Sequence, residues 1–141
     1  MRSPTQIALS RQQAGPERAA ARAAARVDEE SQRTAVAAAR AALEKKAEDV
    51  VVLDLRGVSG YTHFLVIGSG GSDRQLEAIA ESVEKELTTN GHRVIGSEGQ
   101  RGGRWVLLDF GDVVVHVFHG DERAHYDLEG LWADAPRIEV E

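Results

Sequence analysis

The sequence predicts an α/β domain, and three observations carry that class. Two short Val-, Leu- and Ile-rich runs, VVVLDL at 50–55 and FLVIG at 64–68, are sized for buried strands. A helical pattern follows the second run directly, with Leu76, Ile79, Ala80, Val83 and Leu87 on one stripe of residues 72–89. A third apolar run, RWVLLDFGDVVVHVF at 104–118, is broken in its middle by Gly111-Asp112, a pair suited to closing a two-residue hairpin.

Each element can be justified in order. Residues 1–30 form a biased extension in which PERAAARAAARVDEE is dominated by Ala and Arg. Both are strong helix formers, and Pro16 stands where a helix can start. Arg18, Arg22 and Arg26 repeat on one stripe with only alanines facing away, so such a helix has little to bury. The first reading is a partly helical, solvated extension. A transit peptide and a basic arm that touches RNA are the alternatives, and the early Asp28, Glu29 and Glu30 weigh against the transit peptide. From Ser31 the pattern changes: Val36, Ala39, Leu43 and Ala47 lie near one helical face. The domain is expected to run over 31–135, with 136–141 as a tail. Between the first two strands RGVSGY reads as a loop, and Asn90-Gly91 ends the helix of 72–89.

The glycine-rich turn at 68–71 invites a phosphate-binding reading, and the residues around it argue for a structural one. Ser72 followed by Gln75 is a capping box, and Asp73 in the first turn complements the helix dipole but would repel a phosphate. A P-loop needs Gly-Lys-Ser/Thr, and no lysine is present here. The dinucleotide fingerprint fails because Asp73 stands three residues after Gly70. Nucleotidyltransferases pair Gly-Ser with two metal-holding acids about ten residues on. Gly68-Ser69 fits the first half, but AIAESV at 78–83 offers only Glu81. The glycines are expected to serve a tight turn before a capped helix.

If Gly111 and Asp112 are the hairpin loop, pairing is fixed. Phe110, Leu108 and Val106 face Val113, Val115 and Val117 on one apolar face, which is core. The opposite face pairs Asp109 with Val114, Leu107 with His116, and Trp105 with Phe118. This mixed face is either covered by a helix or the tail, or is a patch for a partner. Tryptophan is enriched at interface hot spots, and neighbouring acids select a basic partner.

Charge narrows the partner. Residues 1–46 carry 9 Lys and Arg against 5 Asp and Glu, or +4, and residues 47–141 carry 8 against 18, or −10. An acidic body is poorly suited to phosphate backbones, so a basic protein surface is the better partner. The absence of cysteine excludes disulfides, thiolate catalysis and thiolate metal sites. No apolar run reaches the roughly 20 residues that span a bilayer. No apolar segment after the first charges reads as a secretory signal. His116 and His119, three apart on a strand, point to opposite faces, so no metal is expected. His125, Tyr126 and Asp127 have no nucleophile or oxyanion device beside them and read as a short helix near Trp132. Leu128, Leu131 and Trp132 read as a docked C-terminal helix.

Taken together, LDLRGVSGYTHFLVIGSGGSDRQLEAIA, Glu98-Gly99, RWVLLDFGDVVVHVF and RAHYDLEGLWADA resemble the ribosomal silencing factor family, also called Iojap-like proteins, from about residue 32 to 135. The order and spacing of Leu53-Asp54, Trp105 to Asp109, Gly111-Asp112, Val115 to Phe118, Arg123, Tyr126, Leu128-Glu129 and Leu131-Trp132 carry the likeness. It departs at His63-Phe64-Leu65, where the family usually has Asp-Tyr-Phe.

The resemblance implies a compact single domain with a mixed sheet of about five strands packed with helices. That fold is distantly nucleotidyltransferase-like but lacks the catalytic acids. It implies binding to the large ribosomal subunit through its fourteenth protein, on the face that meets the small subunit, so that joining is blocked and translation held down when nutrients are short. The implied contact residues centre on Trp105, Leu107 and Asp109, with Glu98 beside them. His116 and Phe118 complete the expected face. No cofactor, metal, membrane or sequence-specific nucleic-acid partner is expected, and the free protein is expected to be a homodimer that hides part of this face. The compartment expected is the cytoplasm, with mitochondrion or chloroplast as the alternatives. Assembly of the large subunit, or a degenerate nucleotidyltransferase-type enzyme, are the alternative functions.

Overall fold

The computed structural model describes residues 14–58, 60, 62–99 and 104–140. The chain divides into two units, Met1–Glu30 and Ser31–Glu141. In the first, the described residues are helical. Helix α1 (Ala14–Glu44) begins there, and its residues from Ser31 on belong to the second unit.

The second unit is an α/β domain, as the sequence predicts. After α1 come β1 (Glu48–Asp54), β2 (Phe64–Gly70), α2 (Asp73–Thr89), β3 (Gly96–Glu98), β4 (Trp105–Asp109), β5 (Val113–His119), α3 (Gly120–Tyr126), α4 (Leu128–Leu131) and β6 (Arg137–Ile138). Among the described residues the six strands form one sheet in the order β3-β4-β5-β2-β1-β6. The sheet is mixed: β2 and β5 run parallel at its centre, and the other pairs are antiparallel. The segment expected as a tail therefore adds a strand, because Arg137 and Ile138 pair with Leu53 and Val52.

One face of the sheet is covered by helix. Val52, Phe64, Val66, Val106, Leu108, Val113, Val115 and Val117 pack with α2 and with the end of α1. The α2 stripe is as predicted, with Leu76, Ile79, Ala80, Val83 and Leu87 all buried. The buried stripe of α1 differs from the expected one. Ala35, Ala38, Ala39, Ala41 and Ala42 are buried, whereas Val36 is only half-buried and Leu43 is 38% exposed. A methyl-only stripe lets the helix lie close, and there Ser82 of α2 donates to the Ala41 carbonyl at 2.9 Å. Two polar residues continue the buried face and are satisfied by histidines: Ser31 Oγ lies 3.3 Å from His63 Nδ1, and Thr34 Oγ1 lies 3.1 Å from His92 Nε2.

The turn before α2 is built differently from the expectation at one point. Ser72 caps the helix by accepting from the Gln75 amide at 3.1 Å. The Gln75 side chain does not close the box on Ser72 but accepts from the Gly71 amide at 2.7 Å, and its NH2 reaches the Lys45 and Lys46 carbonyls. Gly70 and Gly71 do not adopt positive φ. Gly70 gives room instead: a Cβ there would stand 3.0 Å from Leu76 Cδ2, which would have to give way.

Candidate functional site

The candidate site lies on the other face of the sheet. Side chains alternate across a strand, so Trp105, Leu107 and Asp109 of β4 share a face with Val114, His116 and Phe118 of β5. The hairpin register is the predicted one, with Trp105 opposite Phe118, Leu107 opposite His116, and Asp109 opposite Val114. The turn that sets it has Gly111 at φ +89°, and the Phe110 amide donates to the Val113 carbonyl at 2.9 Å. β3 extends the same face, since Glu98 is opposite Leu107. Gly99, at φ +76°, stands so close to the Trp105 carbonyl that no Cβ fits there.

The face is covered at one end and open at the other. Leu53, Leu55, Leu65, Ile67, Val114 and Phe118 form a second core, and Ala135, Leu128 and Trp132 of the C-terminal segment pack on it. Leu131 does not join them; at 70% exposure it points to solvent, contrary to the docked pattern expected of it. The four-residue α4 is too short to turn all three large side chains inward. Over β4 the cover ends, leaving Trp105, Leu107 and Asp109 half-exposed and Glu98 exposed.

His116 and Phe118 do not lie on the surface with them. Phe118 is 2% exposed and His116 8% exposed, so they back the open residues rather than reach outward. The rings form a layer: His116 stacks on Phe118 at 5.6 Å and on Trp105 at 6.1 Å, and Tyr126 tilts against Phe118 at 5.7 Å. Trp105, His116, Phe118, Tyr126 and Leu128 line a cavity of about 210 Å³. The Trp105 indole N–H donates to His116 Nδ1 at 3.1 Å. That bond requires an unprotonated Nδ1, and burial pushes the His116 pKa down to about 4, so the ring is neutral at pH 7. Asp109 is also committed locally: its carboxylate accepts from the Gly111 amide at 2.8 Å and ties the strand to its turn.

The C-terminal segment is held over this face by a contact that the sequence reading did not single out. Arg123, from α3, donates to Glu129 at 2.8 Å and to the Ser69 hydroxyl at 2.8 Å. Its guanidinium holds the Glu129 carboxyl below the usual glutamate range. Ser69, the serine of the Gly-Ser pair, is 5% exposed and is occupied by this arginine. Asp127, at φ +44°, joins α3 to α4 and accepts from the Gly130 amide at 3.1 Å. The signal in the sequence was the pairing of Arg123 with Glu129 across a bend, which no helical or strand period reveals.

The position where the family's phenol is replaced serves the core: Phe64 is fully buried, with the Arg56 guanidinium 4.9 Å above its ring. Arg56 also grips Asp54 through two hydrogen bonds of 2.9 and 2.7 Å, which holds the Asp54 carboxyl below its ordinary value.

Residues 28–141 match the family described as "Ribosomal silencing factor during starvation". A ribosomal silencing factor from Halalkalibacterium halodurans is 50% identical over 98 residues, covering 70% of this chain and 84% of that protein. The crystal structure of a Chromobacterium violaceum protein superposes with a TM-score of 0.70 at 38% identity, over 72% of this chain and 85% of that one. A mouse protein named for mitochondrial assembly of the large ribosomal subunit is 33% identical over 92 residues, covering 63% of this chain and 40% of that protein. The residues that carry the resemblance read from the sequence lie within the matched span, and the chain belongs to the ribosomal silencing factor family.

Proposed function

We propose that this protein represses translation under nutrient limitation by docking on the large ribosomal subunit through its fourteenth protein, where it blocks association with the small subunit. The observation that supports this reading is the open end of the β4 face, where half-exposed Trp105, Leu107 and Asp109 follow one another along the strand and exposed Glu98 stands beside Leu107. An aromatic anchor with acids around it fits a basic ribosomal protein. Blocking by occupancy needs no chemistry, and the protein is read as a non-enzyme without cofactor. Ser69, the serine of the Gly-Ser pair, is buried against Arg123. In the free protein the same face is read as the contact of a homodimer, in competition with the ribosomal partner.

The test combines co-sedimentation with purified subunits and a subunit-joining assay. Trp105→Ala is expected to stay folded and to bind large subunits roughly thirty-fold more weakly, the loss typical of a hot-spot tryptophan at about 2 kcal/mol. Unchanged binding and blocking by that variant, or retention on the small subunit alone, would sink the proposal. A second reading is assembly of the large subunit, favoured by the name of the mouse relative. It is separated by adding the protein to mature subunits, where an assembly factor leaves joining unaffected.

A further inference from the structure

The net positive excess of this acidic chain lies before the domain: residues 1–27 hold five arginines and one glutamate. In the first unit residues 18–26 are helical, and every one of them is exposed. At 100° per residue, Arg18, Arg22 and Arg26 fall within an 80° arc of that helix. They recur about every 6 Å along its axis. All six residues between and beside them, Ala19 to Ala21 and Ala23 to Ala25, are alanine.

This composition discriminates among partners. A protein interface needs large side chains at its centre, aromatic above all, and this surface has none. An interfacial membrane helix needs Trp, Phe or Leu on the face opposite its cations, and here that face carries methyl groups only. What remains is a row of planar, permanently charged fork donors on a rigid rod, which matches the repeated oxygens of a phosphate backbone. We propose that the Arg18, Arg22 and Arg26 face of the amino-terminal helix is a sequence-independent contact for the RNA phosphate backbone. That the RNA is ribosomal rests on the function proposed above; the contact with phosphate does not. The acidic body and the basic arm then divide the work, one meeting a basic protein and the other its RNA surroundings.

The experiment measures binding of the full chain to a labelled mixed-sequence single-stranded RNA by fluorescence anisotropy over a salt series, with no ribosome present. The parent is expected to bind at about 50 mM salt, with log affinity falling linearly in log salt. R18A/R22A/R26A removes three phosphate contacts at about 0.7 each, so the slope is expected to flatten by about 2 and affinity to fall at least about tenfold. Alanine is the best helix former, and circular dichroism checks that helix is retained. The charge-keeping R18K/R22K/R26K is expected to hold most of the slope. Three outcomes overturn the proposal: no RNA binding by the parent at about 50 mM salt, the same slope in the alanine variant, or tighter binding to vesicles rich in phosphatidylglycerol than to RNA. In a separate arm, weakened large-subunit binding by Trp105→Ala with RNA binding intact keeps the two proposals distinguishable.

Discussion

Asp109 of β4 and His116 of β5 are each committed to a hydrogen bond within the fold, and this decides how they can be tested. Asp109 accepts from the Gly111 amide, so reversing its charge with lysine would damage the turn as well as any docking. Asp109→Asn keeps an acceptor oxygen in place and removes only the charge. Its expected effect on large-subunit binding is slower association with a flatter salt dependence and little change in dissociation, read by stopped-flow mixing. His116 is buried and neutral, with a folded pKa of about 4 against an ordinary value near 6.5. Between those two values the unfolded chain binds a proton that the folded chain refuses. Stability is therefore full above pH 6.5 and falls as pH drops toward 4, by about 1.4 kcal/mol per unit and about 3 kcal/mol in all. Urea titrations at several pH values should show that slope, and His116→Leu should flatten it across the same window.

At the level of elements, α2 and the hairpin were legible because their signals are local and periodic. Ser72, the Leu76-to-Leu87 stripe and Gly111 each specify geometry within a few residues of themselves. On the stripe expected from Val36, Ala39, Leu43 and Ala47, Ala39 and Ala47 are buried, whereas Val36 and Leu43 are not, because a face of alanines gives weak contrast against an alanine-rich helix. The full burial of Ala38 in the core predicts intolerance of added bulk: Ala38→Leu should destabilise by roughly 1–3 kcal/mol, measured by chemical denaturation. The open part of the site was legible through alternation on β4, but the burial of Phe118 was not, since its cover comes from a distant segment held by Arg123. Arg123→Met should remove that tie. Faster hydrogen–deuterium exchange is expected over residues 120–135, and the Glu129 carboxyl should titrate closer to its ordinary value. In the parent, Glu129 contributes stability that is present above the ordinary glutamate range and lost as pH falls through its lowered folded value.

For the whole molecule, an open apolar patch on a free protein predicts concentration-dependent self-association. Sedimentation over a wide concentration range should show a dimer that dissociates on dilution, and Trp105→Ala should shift it toward monomer. A strict monomer at high concentration would remove the dimer while leaving subunit docking standing. The way the sheet ends bears on the same hazard. Its outermost strands are β3, three residues long, and β6, two residues long. An outer strand displays unpaired amides and carbonyls that can recruit a strand from another molecule, and the risk of fibrillar growth rises with its length and flatness. Among the described residues neither rim offers enough ladder to template such addition, and Glu98 leaves a charge at one of them. On the proposed function the protein keeps a sticky surface bare between encounters, and such short edges leave flat stacking, which dilution reverses, as the expected route of self-association instead of edge growth, which dilution does not reverse.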